Sequence, residues 1–228
     1  MPRKQLRVVF DLDDTLYAER DFAVSGFEAA STWARDTFGT PDFADEMTAL
    51  LDSGHLGNLF GLTLTKHVPQ HSNAELREFI DAYRSHLPTL SLYEDAHQAL
   101  AVAANCGAIG LITDGTEFVQ RNKVQALGIE HHFAKIIYTS SLGGRAFHKP
   151  NPLSFELMEA ALGADNVQFV YVGDNPAKDF VAPNARGWTS VQINRPHGIH
   201  DHTAEAPGGA PGYQVDSLAE FAELVVSL

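Results

Sequence analysis

Cysteine is nearly missing from this chain of 228 residues: Cys106 stands alone, so no internal disulfide can form. Long hydrophobic runs are missing as well. Nothing approaches the roughly 20 apolar residues that a membrane-spanning helix needs. The apolar run that follows Met-Pro-Arg-Lys-Gln-Leu-Arg is too short for the core of a secretory signal, so a cytoplasmic protein is expected. Positive charge is scarce: sixteen Lys and Arg face 29 Asp and Glu, a net charge of −13 with a pI near 5.1. Such a field repels nucleic-acid backbones and anionic membranes, and neither is expected as a partner. An anionic substrate would have to be met locally, by a metal ion and one or two placed cations.

What is present fits a folded domain. Hydrophobic residues make up 44% and charged ones 20%, enough for a real core, and the length suits one core with a modest insertion. Four short runs end abruptly in polar residues or glycine: Arg7–Phe10, Ala108–Ile112, Lys135–Tyr138 and Phe169–Val172. Each reads as a strand buried on both faces. A weaker one spans Ser190–Ile193. From Tyr93 onward they alternate with helical patterns at Tyr93–Asn105, Phe118–Leu127, Pro152–Leu162 and Lys178–Arg186. That alternation marks βαβ units, so the expected class is α/β with a doubly wound parallel sheet.

Residues 17–92 carry helical periodicity and no convincing strand, and are expected to form an inserted helical domain in a core made of 1–16 and 93–228. Within it, Ser72 and Glu75 make a capping box ahead of an apolar face. Gly54–Leu64 has no readable period. Pro196–Tyr213, rich in Gly, Pro, Ala and His, reads as an exposed loop before a last helix at Leu218–Val226.

Chemistry-bearing residues collect where the strands end, which is the edge where open parallel sheets bind ligands. The first strand runs into Asp11-Leu12-Asp13-Asp14-Thr15, the second into Thr113-Asp114-Gly115, and the third is followed by His148-Lys149-Pro150. The fourth ends in Gly173-Asp174, with Asp179 five residues on. Taken singly, each has an ordinary explanation: aspartates after strands make turns and caps, and a lone lysine is a solvated charge. Together they would gather several acids, and a hard divalent cation is the natural counter-charge for them.

In this order the clusters closely resemble the four motifs of the haloacid dehalogenase superfamily, and the helical insert is similar to that family's small cap. The resemblance covers nearly the whole chain and implies a Rossmann-like core that hydrolyses phosphomonoesters with Mg²⁺. It implies that Asp11 is the nucleophile, forming an aspartyl phosphate, and that Asp13 is the general acid and base. Thr113, the Asp114 backbone N–H and Lys149 would hold the phosphoryl oxygens. Asp11, the Asp13 carbonyl and Asp174 would bind the metal, with Thr15, Gly173 and Asp179 in support. Asp14 is left as a structural cap.

The implied partner is a small phosphorylated metabolite: a sugar phosphate, a nucleotide or phosphoglycolate. The protein itself would be a monomer or homodimer. Retention of Asp13 and Asp174 argues against carbon–halogen cleavage. A sugar phosphomutase shares all these motifs and stays open. A phosphonate hydrolase would need a cap lysine, for which Lys66 is the lone candidate. A phosphate-binding module without catalysis would not need both Asp11 and Asp13. Arg20 is a candidate for touching the leaving group, and His197, His200 and His202 are a candidate metal cluster set in a loop.

Overall fold

The computed structural model of the chain describes residues 5–55, 57–163, 165–196, 198–199 and 204–228. His197, His200 and His202 therefore lie outside the described residues. In chain order the regular elements are β1 (Gln5–Phe10), α1 (Glu19–Phe38), α2 (Ala44–Asp52), α3 (Leu59–His67), α4 (Asn73–Ser85), α5 (Glu94–Cys106) and β2 (Ile109–Thr113). There follow α6 (Glu117–Leu127), β3 (Lys135–Tyr138), α7 (Leu153–Leu162), β4 (Val167–Gly173), α8 (Val181–Ala185), β5 (Thr189–Ile193), β6 (Tyr213–Val215) and α9 (Leu218–Ser227). No helix among the described residues is long and apolar enough to cross a membrane.

The six strands form one all-parallel sheet in the order β3-β2-β1-β4-β5-β6. This is the doubly wound α/β arrangement that the alternation of elements predicts. The chain enters at the centre on β1, grows outward through β2 and β3, then returns to the other flank of β1 with β4. The strand order thus reverses between β1 and β4, and that crevice is where such sheets place their ligands. Val8, Val9 and Phe10 are wholly buried on β1, as are Val170, Tyr171 and Val172 on β4. Each such side chain contributes roughly 1.5–3 kcal/mol by leaving water.

Two compact units make up the chain, one of Met1–Glu19 with Leu90–Leu228 and the other of Arg20–Thr89. The second is a set of helices around Phe27, Phe43, Met47, Leu64 and Phe79. The Ser72 hydroxyl accepts from the Glu75 N–H while Glu75 reaches back to the Ser72 N–H, so the capping box is closed. The unreadable stretch Gly54–Leu64 contains the start of α3, which buries Leu59, Thr63 and Leu64. A buried threonine and a flanking glycine blur its period.

Two expectations are corrected. The edge strand β6 begins at Tyr213, where a loop is expected; it has three residues and buries Val215 alone, too little for a periodic signal. The expected helix at Lys178–Arg186 shrinks to α8, because residues 176–180 are taken up by turns, and Asp179 stands in a turn instead of at a helix start.

Candidate active site

Asp11 and Asp174 follow directly on the neighbouring strands β1 and β4, each 2% exposed. The Asp11 N–H donates to the Val172 carbonyl at 2.9 Å, so the sheet ladder itself fixes where the carboxylate begins. Lys149 arrives from the segment after β3 with a fully buried ammonium. It lies 2.7 Å from Asp11 Oδ1 and 2.8 Å from Asp179 Oδ1, and donates to the Tyr171 hydroxyl at 2.9 Å. Asp179 is held by the turn after β4, where its Oδ2 accepts from the Asn175 N–H at 2.9 Å. A Cβ at Gly173 would stand 2.6 Å from that same Oδ2, so the turn closes only over glycine.

This concentration of charge shifts the acids. Burial raises the Asp11 carboxyl to about 6; Lys149 opposes the shift and Asp179 adds to it. Asp174 is pushed well above the ordinary carboxylate range by burial, then by Asp179 and Asp11. Lys149 stays charged, since Asp11, Asp179 and Asp114 outweigh its desolvation. Four carboxylates, Asp11, Asp114, Asp174 and Asp179, face two ammoniums, Lys149 and Lys178. The residue types fit a hard divalent cation: Asp11, Asp174 and Asp179 each offer an oxygen, all within 4.8 Å of one another. Asp11 Oδ2 is buried and has no hydrogen-bond partner among the described residues, an acceptor open to a ligand.

The Asp13 carboxylate belongs to a different set of partners. Its Oδ1 accepts from Lys123 Nζ at 2.6 Å and from the Tyr17 hydroxyl, and its Oδ2 from Gln120 Nε2 at 2.7 Å. Burial pushes Asp13 up, but the charge of Lys123 and these three donors outweigh it and hold the carboxyl below its ordinary value. Gln120 also donates to the Thr113 hydroxyl, tying the end of β2 to Asp13. Gln120 and Lys123 share one buried face of α6 with Val124, and the β1–β2 pairing brings that face to the loop after β1.

The remaining candidates fall around these two groups. Asp114 Oδ1 accepts from the Thr139 hydroxyl at 2.7 Å and from the Lys149 N–H at 3.1 Å, so its side chain joins the ends of β2 and β3 to the lysine segment. Thr15 is buried, with no hydrogen bond to its hydroxyl among the described residues, while its carbonyl accepts from Arg195. Asp14, at φ 49°, accepts from the N–H groups of Glu19 and Ile199, a structural use. Two candidates from the insert are engaged elsewhere: Arg20 pairs with Asp52 at 2.8 Å, and Lys66 with Glu46 at 2.8 Å. Sequence reasoning missed Tyr17, Gln120, Lys123 and Lys178. The available signal was a lysine and a glutamine three residues apart on the apolar face of a helix.

The model of one family, described as haloacid dehalogenase-like hydrolase, matches residues 7–185. The chain belongs to the haloacid dehalogenase-like hydrolases. A phosphoserine phosphatase of Thermus thermophilus is 31% identical over 145 residues, which span 63% of this chain and 55% of that protein. A phosphoglycolate phosphatase of Neisseria meningitidis is 26% identical over 223 residues, 95% of this chain and 92% of its own length. Among solved structures, the hydrolase YfnB of Bacillus subtilis, crystallised bound to magnesium, superposes with a TM-score of 0.68 at 14% identity. That superposition covers 98% of this hydrolase and 99% of YfnB, and it shows the shared fold.

Proposed function

We propose that this hydrolase removes phosphate from a small organic phosphomonoester through a covalent intermediate on Asp11. One observation carries the reading: Asp11 is buried with one oxygen held 2.7 Å from the Lys149 ammonium and the other without a hydrogen-bond partner among the described residues. A carboxylate so placed is desolvated, oriented and has an oxygen to spare, which is what attack on phosphorus requires. In the first step the Asp11 oxygen–phosphorus bond forms and the ester oxygen–phosphorus bond breaks. In the second, water attacks the same phosphorus and returns Asp11 and inorganic phosphate.

Asp13 is assigned the proton on the leaving oxygen in the first step and the proton of the attacking water in the second. Thr113, the Asp114 N–H and Lys149 are assigned to the phosphoryl oxygens, where Lys149 meets charge in a water-poor setting. Mg²⁺ is the proposed ion, held by Asp11, the Asp13 carbonyl and Asp174 with Asp179 beside them, and it would neutralise charge on the transferring group. The helical unit Arg20–Thr89 is read as the family's small cap. Its relatives named for phosphoserine and phosphoglycolate support a compact phosphorylated metabolite as substrate.

Phosphate release from a panel of phosphomonoesters, with and without Mg²⁺, tests this directly. The expected result is metal-dependent turnover that Asp11→Asn removes. Turnover that persists in Asp11→Asn would discard the covalent reading, and no release from any ester would discard the phosphatase.

A further inference from the structure

In a chain whose net charge is −13, one recess gathers three of the sixteen Lys and Arg. Arg145, His148, Lys149 and Lys178 surround it with Asp114 as the acid among them, and its volume is about 760 Å³. Two of these cations are already engaged. Lys149 faces Asp11 and Asp179, and Lys178 stands 3.7 Å from Asp114. Arg145 and His148 are not: among the described residues neither side chain has an ion pair or hydrogen bond.

The segment that carries them is built, not loose. Gly143 and Gly144 take φ values of 141° and 88°, and a Cβ on Gly143 would run into the Phe147 ring. The turn Arg145–Phe147 is then pinned from behind. Asn151 Nδ2 donates to the Ala146 carbonyl at 3.0 Å, and the Asn151 N–H to the His148 carbonyl at 2.9 Å. A guanidinium and an imidazole are thereby carried beside Lys149 on a backbone that is ordered before any ligand arrives.

We propose that Arg145 and His148 form an anion subsite for the leaving group, so that the substrate is a phosphomonoester with a second anionic group, a carboxylate or a second phosphate. This rests on the phosphomonoesterase reading above. Arg145 supplies a planar, permanently charged fork that suits either anion, and His148 a donor next to it. The subsite also gives the long-range field a local exception, without which a doubly anionic substrate would be repelled.

The test uses a pair of like size, 2-phosphoglycolate and isobutyl phosphate, in which an isopropyl group takes the place of the carboxylate. Ethylene glycol bisphosphate is the second-phosphate arm. The wild-type enzyme is expected to favour one or both of the esters with an anionic tail in kcat/KM by roughly 10- to 100-fold, the worth of one or two charge-assisted hydrogen bonds. Arg145→Ala should collapse that ratio towards one, and Arg145→Lys should restore part of it. Which ester shows the preference tells carboxylate from phosphate.

A ratio that survives Arg145→Ala, or that is absent from the wild type, overturns the proposal. So does an equal fall on all three esters, which would mark a loop needed only for its shape. If the wild type turns over none of them, the phosphatase reading is decided by the wider ester panel. Calorimetric binding of the same pair to the wild type and to Arg145→Ala then decides the subsite, through the same ratio.

Discussion

The two compact units bury different things. Inside Arg20–Thr89 the rings of Trp33, Phe43 and Phe60 pack around Phe79 at centroid distances of 5.9–6.1 Å. Among its described residues Ser31 and Thr63 are the buried polar ones, and none is charged. In the sheet unit, by contrast, Asp11, Asp14, Lys123, Lys149, Asp174 and Asp179 are all buried. Burying an ion costs several kcal/mol unless a partner repays it, and apolar packing of the same volume is as stable or more so. Charge is therefore interior at the candidate site, while the helical unit is packed with apolar groups.

Replacing one cation at the sheet edge should break this contrast most severely. Lys149→Met leaves Asp11 and Asp179 without their shared ammonium. It is expected to lower kcat by about 10²–10³-fold through loss of phosphoryl stabilisation. The same substitution at Lys66, whose side chain is 64% exposed in its pair with Glu46, should shift stability by less than about 0.5 kcal/mol. Steady-state kinetics and urea unfolding of the two variants measure the difference.

In the helical unit the large effect should come from an uncharged group. Phe79→Ala opens a cavity among three aromatic rings and is expected to cost about 3–5 kcal/mol, read as a fall in the urea midpoint. Next comes Lys123→Met, which removes the ammonium that holds the Asp13 carboxyl in place. A loss of about 10²-fold in kcat is expected on alkyl phosphates, whose leaving oxygen needs a proton. On p-nitrophenyl phosphate, with a leaving group that needs none, the loss should stay under about tenfold. Equal losses on both would show that Lys123 holds the fold and not the proton donor.

The smallest effect should be a pH dependence inside the sheet unit, at an ion pair outside the cluster of buried acids. Burial raises the Asp95 carboxyl, but the Arg195 guanidinium, at 3.0 Å from each of its oxygens, and the Leu218 N–H outweigh burial and hold it below the ordinary value. A depressed folded pKa stabilises above the unfolded value and is lost as pH falls through the folded one. The stability difference between wild type and Asp95→Asn should therefore be constant near neutrality and shrink below about pH 4. A difference that stays constant to pH 2.5 would mean the pair contributes nothing through charge.

Much of the edge was legible because β1, β2 and β4 are short apolar runs that stop at polar residues. Strand ends could be counted off and Asp11, Thr113, Asp174 and Lys149 assigned to one side of the sheet. What stayed hidden needed three dimensions. Gln120 and Lys123 reach Asp13 across more than a hundred residues of chain, through a pairing of β1 with β2 that no local pattern states. Asp179 was found by spacing, but its turn was misread as helix because Val181–Ala185 is too short to set a boundary. The α3 helix and β6 escaped for the same reason: few buried side chains, and hence little periodicity.

The central claim is that Asp11 carries the phosphoryl group during turnover. Acid-quenching the enzyme during hydrolysis of its best phosphomonoester, reducing with borohydride and mapping peptides tests it most directly, because an aspartyl phosphate is reduced to homoserine. The account predicts homoserine at position 11, present only when substrate is present and absent after pretreatment with hydroxylamine, which cleaves acyl phosphates. Homoserine at another aspartate during active turnover would contradict it.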